Sequence, residues 1–276
     1  MIEKADAAAV APLRMSRASG SRGRIYFWQG GSLWIGRGSG RTDWHAHHAH
    51  QLALAAEGAL RFRTGREGRW DSFGGALVPS HCTHQFEVDD IAMAHLFIEP
   101  ESRAGRALAG RFGADAVASL PGDGGRAVAQ ALFEAFAASP DRSHMVAAAQ
   151  QALDRLCGAS TESDRALDPR LARALTYIRA HVREPLALGE VATQVALSES
   201  RFRHLFVAET GNSFRAYLLW LRINLAIEAV MAGANWTAAA HEAGFADSAH
   251  LARTHKRVFG IEPTALRLQP LPPQGV

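Results

Sequence analysis

One pattern occurs twice in the last hundred residues: a short helix, a tight turn, a capping residue and a longer helix closed by glycine. In the first copy Leu188 to Gln194 reads as the short helix and Val195-Ala196-Leu197 as the turn. Ser198 then caps a helix running to about Thr210, and Gly211 ends it. In the second, Trp236 to Ala243 leads into Gly244-Phe245-Ala246, and Asp247 caps a helix that stops near Phe259-Gly260. Ser198 and Asp247 stand 49 residues apart. Phe202, Leu205 and Phe206 form one apolar stripe, which turns Arg201, Arg203 and His204 toward solvent. Leu251, Thr254 and Phe259 do the same for His250, Arg253, Lys256 and Arg257. This is the layout that lays a helix in the major groove of DNA. Ser213 to Met231 reads as one long helix with Phe214, Tyr217, Leu218, Leu221 and Leu225 inward. At 1.5 Å per residue it would span ~28 Å, close to the ~34 Å between successive grooves on one DNA face. Two reading helices on one chain would then cover a site of ~15–20 base pairs.

Upstream the chain has two textures. Before about residue 100, short aromatic and β-branched runs alternate with glycine-rich turns: Arg24 to Trp28, Ser32 to Ile35, Gln51 to Ala56, Ala59 to Arg63, Ala76 to Val78, Gln85 to Val88 and Ile91 to Ile98. Such runs predict a small strand-built sandwich or barrel. After it, Ser102 to Phe112 predicts a helix, and Gly124 to Ala138 with Arg142 to Cys157 predicts a helical pair split at Ser139-Pro140-Asp141. Asp168 and Pro169 open another helix, with Leu171, Leu175, Ile178 and Val182 on one face, and Glu184-Pro185 stops it. Gly158 to Asp164 is the best linker candidate, and Pro270 to Val276 reads as a disordered tail. The expected class is α+β, with domains at 1–160 and 165–270.

Among the 276 residues only Lys4 and Lys256 are lysines; the other basic residues are arginines. A GC-rich genome explains the excess, although arginine also suits phosphate and guanine. A formal net charge of +3 does not itself demand a polyanion. No run of apolar residues is long enough to span a bilayer, and the start, with Glu3, Lys4 and Asp6, lacks a signal-peptide layout. Cys82 and Cys157 cannot build a disulfide framework or a four-cysteine zinc site, so a reducing cytoplasm is the simplest expectation.

Residues 168–267 resemble the DNA-binding domain of the AraC/XylS family of bacterial transcriptional regulators. The second unit carries Ala240, Gly244-Phe245, Asp247, Arg253, Lys256, Phe259-Gly260, Pro263 and Arg267. The first carries Leu188, Ala192, Leu197-Ser198, Phe206, Glu209-Thr210-Gly211, Tyr217, Arg222 and Ala226. The chain departs from the pattern at Ala196, where a turn glycine is usual, at Ala187 and Phe214, and at His250, Leu251 and His255. The resemblance implies that Ser200, Arg203 and His204 face bases in one groove and Ser248, His250 and Arg253 in the next, with Arg201, Lys256 and Arg257 on phosphates. For each arginine the alternative is a solvated helix face; His250 could equally be packing. The resemblance further implies operator DNA, a small-molecule effector, RNA polymerase and a second copy of the chain as partners, activation of transcription, and no enzymatic activity. Residues 124–157 resemble the dimerisation element, or simply pack over the strands.

Six of the 13 histidines lie between positions 45 and 84. His45-x-His47 with Gln51 and Gly58, then Gly75, Pro79 and His84, resemble the two cupin motifs, with glutamine where metal cupins usually carry glutamate. A cupin-like barrel that binds the effector is what this resemblance implies. His45, His47, Gln51, His84 and Trp44 are the candidate effector-binding residues. His45, His47 and His84 are candidate ligands for a divalent metal (Zn, Ni, Cu or Fe). The plain alternative is a metal-free pocket with satisfied core histidines. A metal- or redox-responsive regulator using the histidines and Cys82, and a metal-dependent cupin enzyme, stay open beside the effector-controlled regulator. Trp28, Trp34, Trp44 and Trp70 could line a pocket or form core.

Overall fold

The computed structural model describes residues 20–158 and 166–269; the linker and tail expectations and the first nineteen residues fall outside this range. The first part is a sheet domain of strands β1 (Gly20–Trp28), β2 (Gly31–Arg41), β3 (His50–Ala55), β4 (Leu60–Thr64), β5 (Asp71–Phe73), β6 (Gly75–Val78) and β7 (His84–Ile98). Helix α1 (Arg103–Phe112), a short β8 (Ala118–Ser119), α2 (Gly124–Ala138) and α3 (Arg142–Cys157) complete it. The helical domain holds α4 (Pro169–His181), α5 (Leu188–Gln194), α6 (Glu199–Thr210), α7 (Phe214–Met231), α8 (Trp236–Glu242) and α9 (Ser248–Phe259). A last strand, β9 (Leu266–Leu268), ends the described chain.

The strand order is β8-β6-β3-β7-β2-β1-β9, with β4 bridging β7 and β5. Strand β7 organises the sheet: its second half pairs with both β2 and β3, its first half with β4. The two predicted strands at 85–88 and 91–98 are this one strand. It passes through Asp90 in the left-handed region (φ +46°), opposite a register shift between Gly38 and Gly40. Strands β1 and β2 extend well beyond the aromatic runs. Their glycines serve close approach rather than turning, since a β-carbon on Gly36 would lie 2.0 Å from the Arg22 carbonyl oxygen.

The second half of the chain is not purely helical. Strand β9 runs parallel to β1 on the sheet edge, Ser21 opposite Leu266, so the last described segment of the helical domain belongs to the sheet. One apolar core also crosses the boundary: Ile25, Ala49 and Phe97 are buried together with Leu171, Ile178, Phe206, Tyr217 and Phe259. Helices α2 and α3 cover the other side through Val128, Leu132, Met145, Ala149 and Leu153.

Candidate functional site

Two reading helices and a histidine cluster make up the site, and the fold brings them into contact. Helix α6 is capped by the Ser198 hydroxyl, which accepts from the Arg201 amide at 3.4 Å. Helix α9 is capped by Asp247, which accepts from the His250 amide at 2.6 Å. Both end in a left-handed glycine, Gly211 at φ +66° and Gly260 at φ +70°, which closes the helix without the β-carbon clash. The helices that precede them leave through equivalent turns. Leu197 N–H donates to the Ala192 carbonyl and Phe245 N–H to the Ala240 carbonyl. Ala196 therefore corresponds to Gly244, at φ +54° and +78°. The second turn is one residue longer, which is why the caps lie 49 residues apart.

Ser200, Arg201, Arg203 and His204 are exposed on α6; on α9 Arg253, Lys256 and Arg257 are exposed and Ser248 and His250 half-buried. Arg203 forms an i,i+4 pair with Glu199 at 2.7 Å. His250 rests edge-on to the Phe245 ring at 5.2 Å, so packing accounts for part of it. Lys256 is engaged within the protein, 2.9 Å from Glu262 and 3.5 Å from Asp43 of the sheet domain. Val207, which the sequence reading passed over, is 45% exposed. It lies four residues after Arg203 on the same face and offers an apolar surface such as a thymine methyl takes. Helix α7, eighteen residues long, spans ~27 Å between the units.

The histidines sit where the sheet domain meets these helices. His45 and His84 pair backbone to backbone, with N–H···O distances of 3.1 and 3.0 Å. The segment from Thr42 to Ala49 is irregular rather than a strand, yet it brings His47 to the same place. One ring nitrogen from each of His45, His47 and His84 lies within 4.8 Å of the others, all three side chains buried. Burial holds His45 down to about 3 and His47 down to about 4, and pushes His84 well below the ordinary value. His95 is likewise lowered to about 4 by burial. All four rings are neutral at neutral pH. Gln51 stands between His47 (2.9 Å) and His95 (2.5 Å).

Beside the cluster is a cavity of about 120 Å³. Trp34, Met93 and Phe97 line it from the sheet, Phe259, Ile261 and Leu266 from the helical domain, and His45, Gln51 and His95 add polar points. Trp44 is not among its lining residues: the Arg63 guanidinium covers that ring at 5.2 Å. Trp70 lies beneath Arg41, Arg61 and Arg63. Cys82 and Cys157 are free and half-buried, and burial raises both thiols, which disfavours the thiolate.

A charged cluster buried at the boundary ties the domains together. Arg179 of α4 reaches Glu99 at 2.5 Å and lies 3.0 Å from the Tyr217 hydroxyl. Glu101 takes His48 at 2.9 Å, and His48 in turn meets Asn212, just past α6, at 3.4 Å.

These features define a protein with a double helix-turn-helix unit docked on a sheet domain. The helix-turn-helix domain family matches residues 191–269. A Streptomyces antibioticus protein named as AraC-like is 32% identical over 106 residues, covering 38% of this chain and 35% of that protein. The regulatory protein PocR of Salmonella typhimurium is 31% identical over 104 residues, covering 37% and 34%. The carboxyl-terminal domain thus matches the helix-turn-helix family, and over about a hundred residues the chain is similar to a regulator named as AraC-like. The matches span about a third of the length of these relatives. Over the whole fold the chain is similar to ToxT of Vibrio cholerae: TM-score 0.53 at 10% identity, covering 90% of this chain and 96% of that one. A further ToxT structure, bound to an unsaturated fatty acid, aligns with TM-score 0.50. Among the described residues, no helix is long and apolar enough to cross a membrane.

Proposed function

We propose that the protein is a sequence-specific DNA-binding regulator of transcription, controlled by a small effector at the domain boundary. The observation that carries this reading is the pair of capped helices, α6 and α9, with arginines exposed on each and one continuous helix between them. Arg203 and Arg253 would read guanine, Arg201 and Arg257 would neutralise phosphate. Lys256 would join them only after leaving Asp43.

The cavity supports effector control because both domains wall it. A ligand there has different contacts when the helical domain is docked and when it is released, and only such a difference shifts the balance. The volume is small beside the ~300–1,000 Å³ of sites for drug-sized ligands. The docked form therefore suits a compact, mostly apolar molecule with one or two hydrogen-bonding groups. The fatty acid of ToxT supports an apolar effector by analogy of fold. Helices α2 and α3 are the candidate surface for a second copy, RNA polymerase the partner in activation, and the cytoplasm the compartment. Gln51 in the place of a ligating glutamate speaks for regulation over catalysis.

The test is selection from a random duplex library with the purified chain. The reading predicts one enriched site with two recognised segments about a helical turn apart; no enrichment over bulk DNA would overturn it.

A further inference from the structure

The three buried imidazoles each bring one ring nitrogen within 4.8 Å of the others. His45 Nδ1 lies 2.9 Å from the Asp43 carbonyl, His47 Nδ1 2.8 Å from Ala49 and His84 Nδ1 2.9 Å from Cys82. A carbonyl only accepts, so in each neutral ring Nδ1 carries the hydrogen and Nε2 the lone pair. Holding the outer nitrogen on a carbonyl is how proteins orient histidines for a metal. His84 Nε2 is buried with no hydrogen-bond partner among the described residues, and His84 itself is fully buried. Gln51 Oε1 stands 2.9 Å from His47 Nε2, acceptor against acceptor. Either the amide is turned to donate, or a cation belongs between them. Two ligand atoms at ~2.1 Å from one metal and a right angle apart are separated by about this distance.

The cluster is joined to the reading helices. The backbone of Asp43 accepts from His45 through its carbonyl and donates through its N–H to the Gly260 carbonyl at 2.7 Å. Gly260 is the cap of α9, so close that a β-carbon there would lie 2.6 Å from His45 Nδ1. Phe259 contacts Phe97, which meets the His47 ring edge-on at 5.2 Å. The cap of α6 lies against the neighbouring histidine loop, where a β-carbon on Gly211 would meet His81 at 3.8 Å.

We infer that His45, His47 and His84 form a binding site for a first-row divalent cation, with Gln51 as a fourth donor, and that its occupancy is linked through the Asp43 backbone to the docking of α9. Imidazole nitrogen with one amide oxygen suits zinc, nickel or iron(II) over the hard cations magnesium and calcium. The arrangement of domains that holds His45 in place binds the cation more tightly, and by reciprocity the cation favours that arrangement. The linkage rests on the regulator reading; the site itself does not.

Cobalt(II) titrated into the chelator-treated full chain serves as the probe. One equivalent should bind with visible ligand-field absorption, His47→Ala and His84→Ala should abolish it, and His81→Ala should keep it. Should the buried variants fail to fold, nitrogen-15 imidazole spectra of the wild type with zinc give the same answer: three Nε2 resonances should move together. No stoichiometric binding, or unmoved resonances, overturns the site. With the selected duplex added, cobalt affinity should change several-fold; unchanged affinity overturns the linkage alone. Cobalt binding by a chain that selects no DNA leaves the site standing and removes the regulator reading.

Discussion

The backbone N–H of Asp43 donates to the carbonyl of Gly260 at 2.7 Å, which places the end of the second reading helix on the loop that carries His45. Gly260 has no room for a side chain: a β-carbon would lie 2.5 Å from the Asp43 oxygen, and its φ is +70°. Gly260→Ala is expected to weaken domain docking, with left-handed strain alone costing ~1–2 kcal/mol. Urea melts should show that loss, and hydrogen exchange should show faster opening of the Asp43 amide.

Ala196 is an L-residue in a left-handed turn whose counterpart is Gly244. It is exposed, so removing its methyl loses no packing. Ala196→Gly should stabilise the chain by roughly 0.5–1 kcal/mol, the relief of ~1–2 kcal/mol of strain less the added freedom of the unfolded glycine. Gly244→Ala should destabilise it, because its β-carbon would meet the Arg183 oxygen at 2.9 Å. Equilibrium denaturation of the two variants checks both signs.

Acid should unfold the protein early. His47, His50 and His95 are held near 4 by burial, below an ordinary value of 6.5. Between those limits the unfolded chain takes up protons that the folded chain refuses. Stability is therefore full above pH 6.5 and falls as pH drops toward 4, by ~1.4 kcal/mol per unit for each such group. A melting temperature that stays level from pH 7 to 5 would contradict the burial of these rings.

Arg179 is the cation of the boundary cluster, with Glu99 and Glu101 as its partners. Arg179→Ala leaves both carboxylates buried without it. Its side chain is 27% exposed, so the loss should fall near the lower end of the ~3–5 kcal/mol seen when a buried pair is broken. Small-angle scattering should show the domains separating before either one unfolds.

Helices were legible in the sequence from their 3.6-residue apolar period, with a capping residue at α3 and α6 and without one at α2 and α5: all four have the predicted bounds. What escaped was non-local. Nothing around Leu266–Leu268 signals that three residues will pair with Ser21 to Gly23. Gly23 and Gly36 let two strands lie close, a role that no local pattern marks. His45, His47 and His84 were legible as a set only through the resemblance to the two cupin motifs. Their shared tautomer was not, because it depends on carbonyls that only the folded backbone brings within reach. Trp44 was placed by neighbourhood in sequence, which could not show that the Arg63 guanidinium covers its ring.

The central claim is that α6 and α9 read two successive major grooves from one chain. Hydroxyl-radical footprinting on the selected duplex tests it, with Arg203→Ala and Arg253→Ala beside the wild type. Two protected segments about one turn apart are expected, with each substitution weakening binding by ~1–3 kcal/mol and relaxing base preference in one segment only. A single protected segment, or two variants that bind as the wild type does, would contradict it.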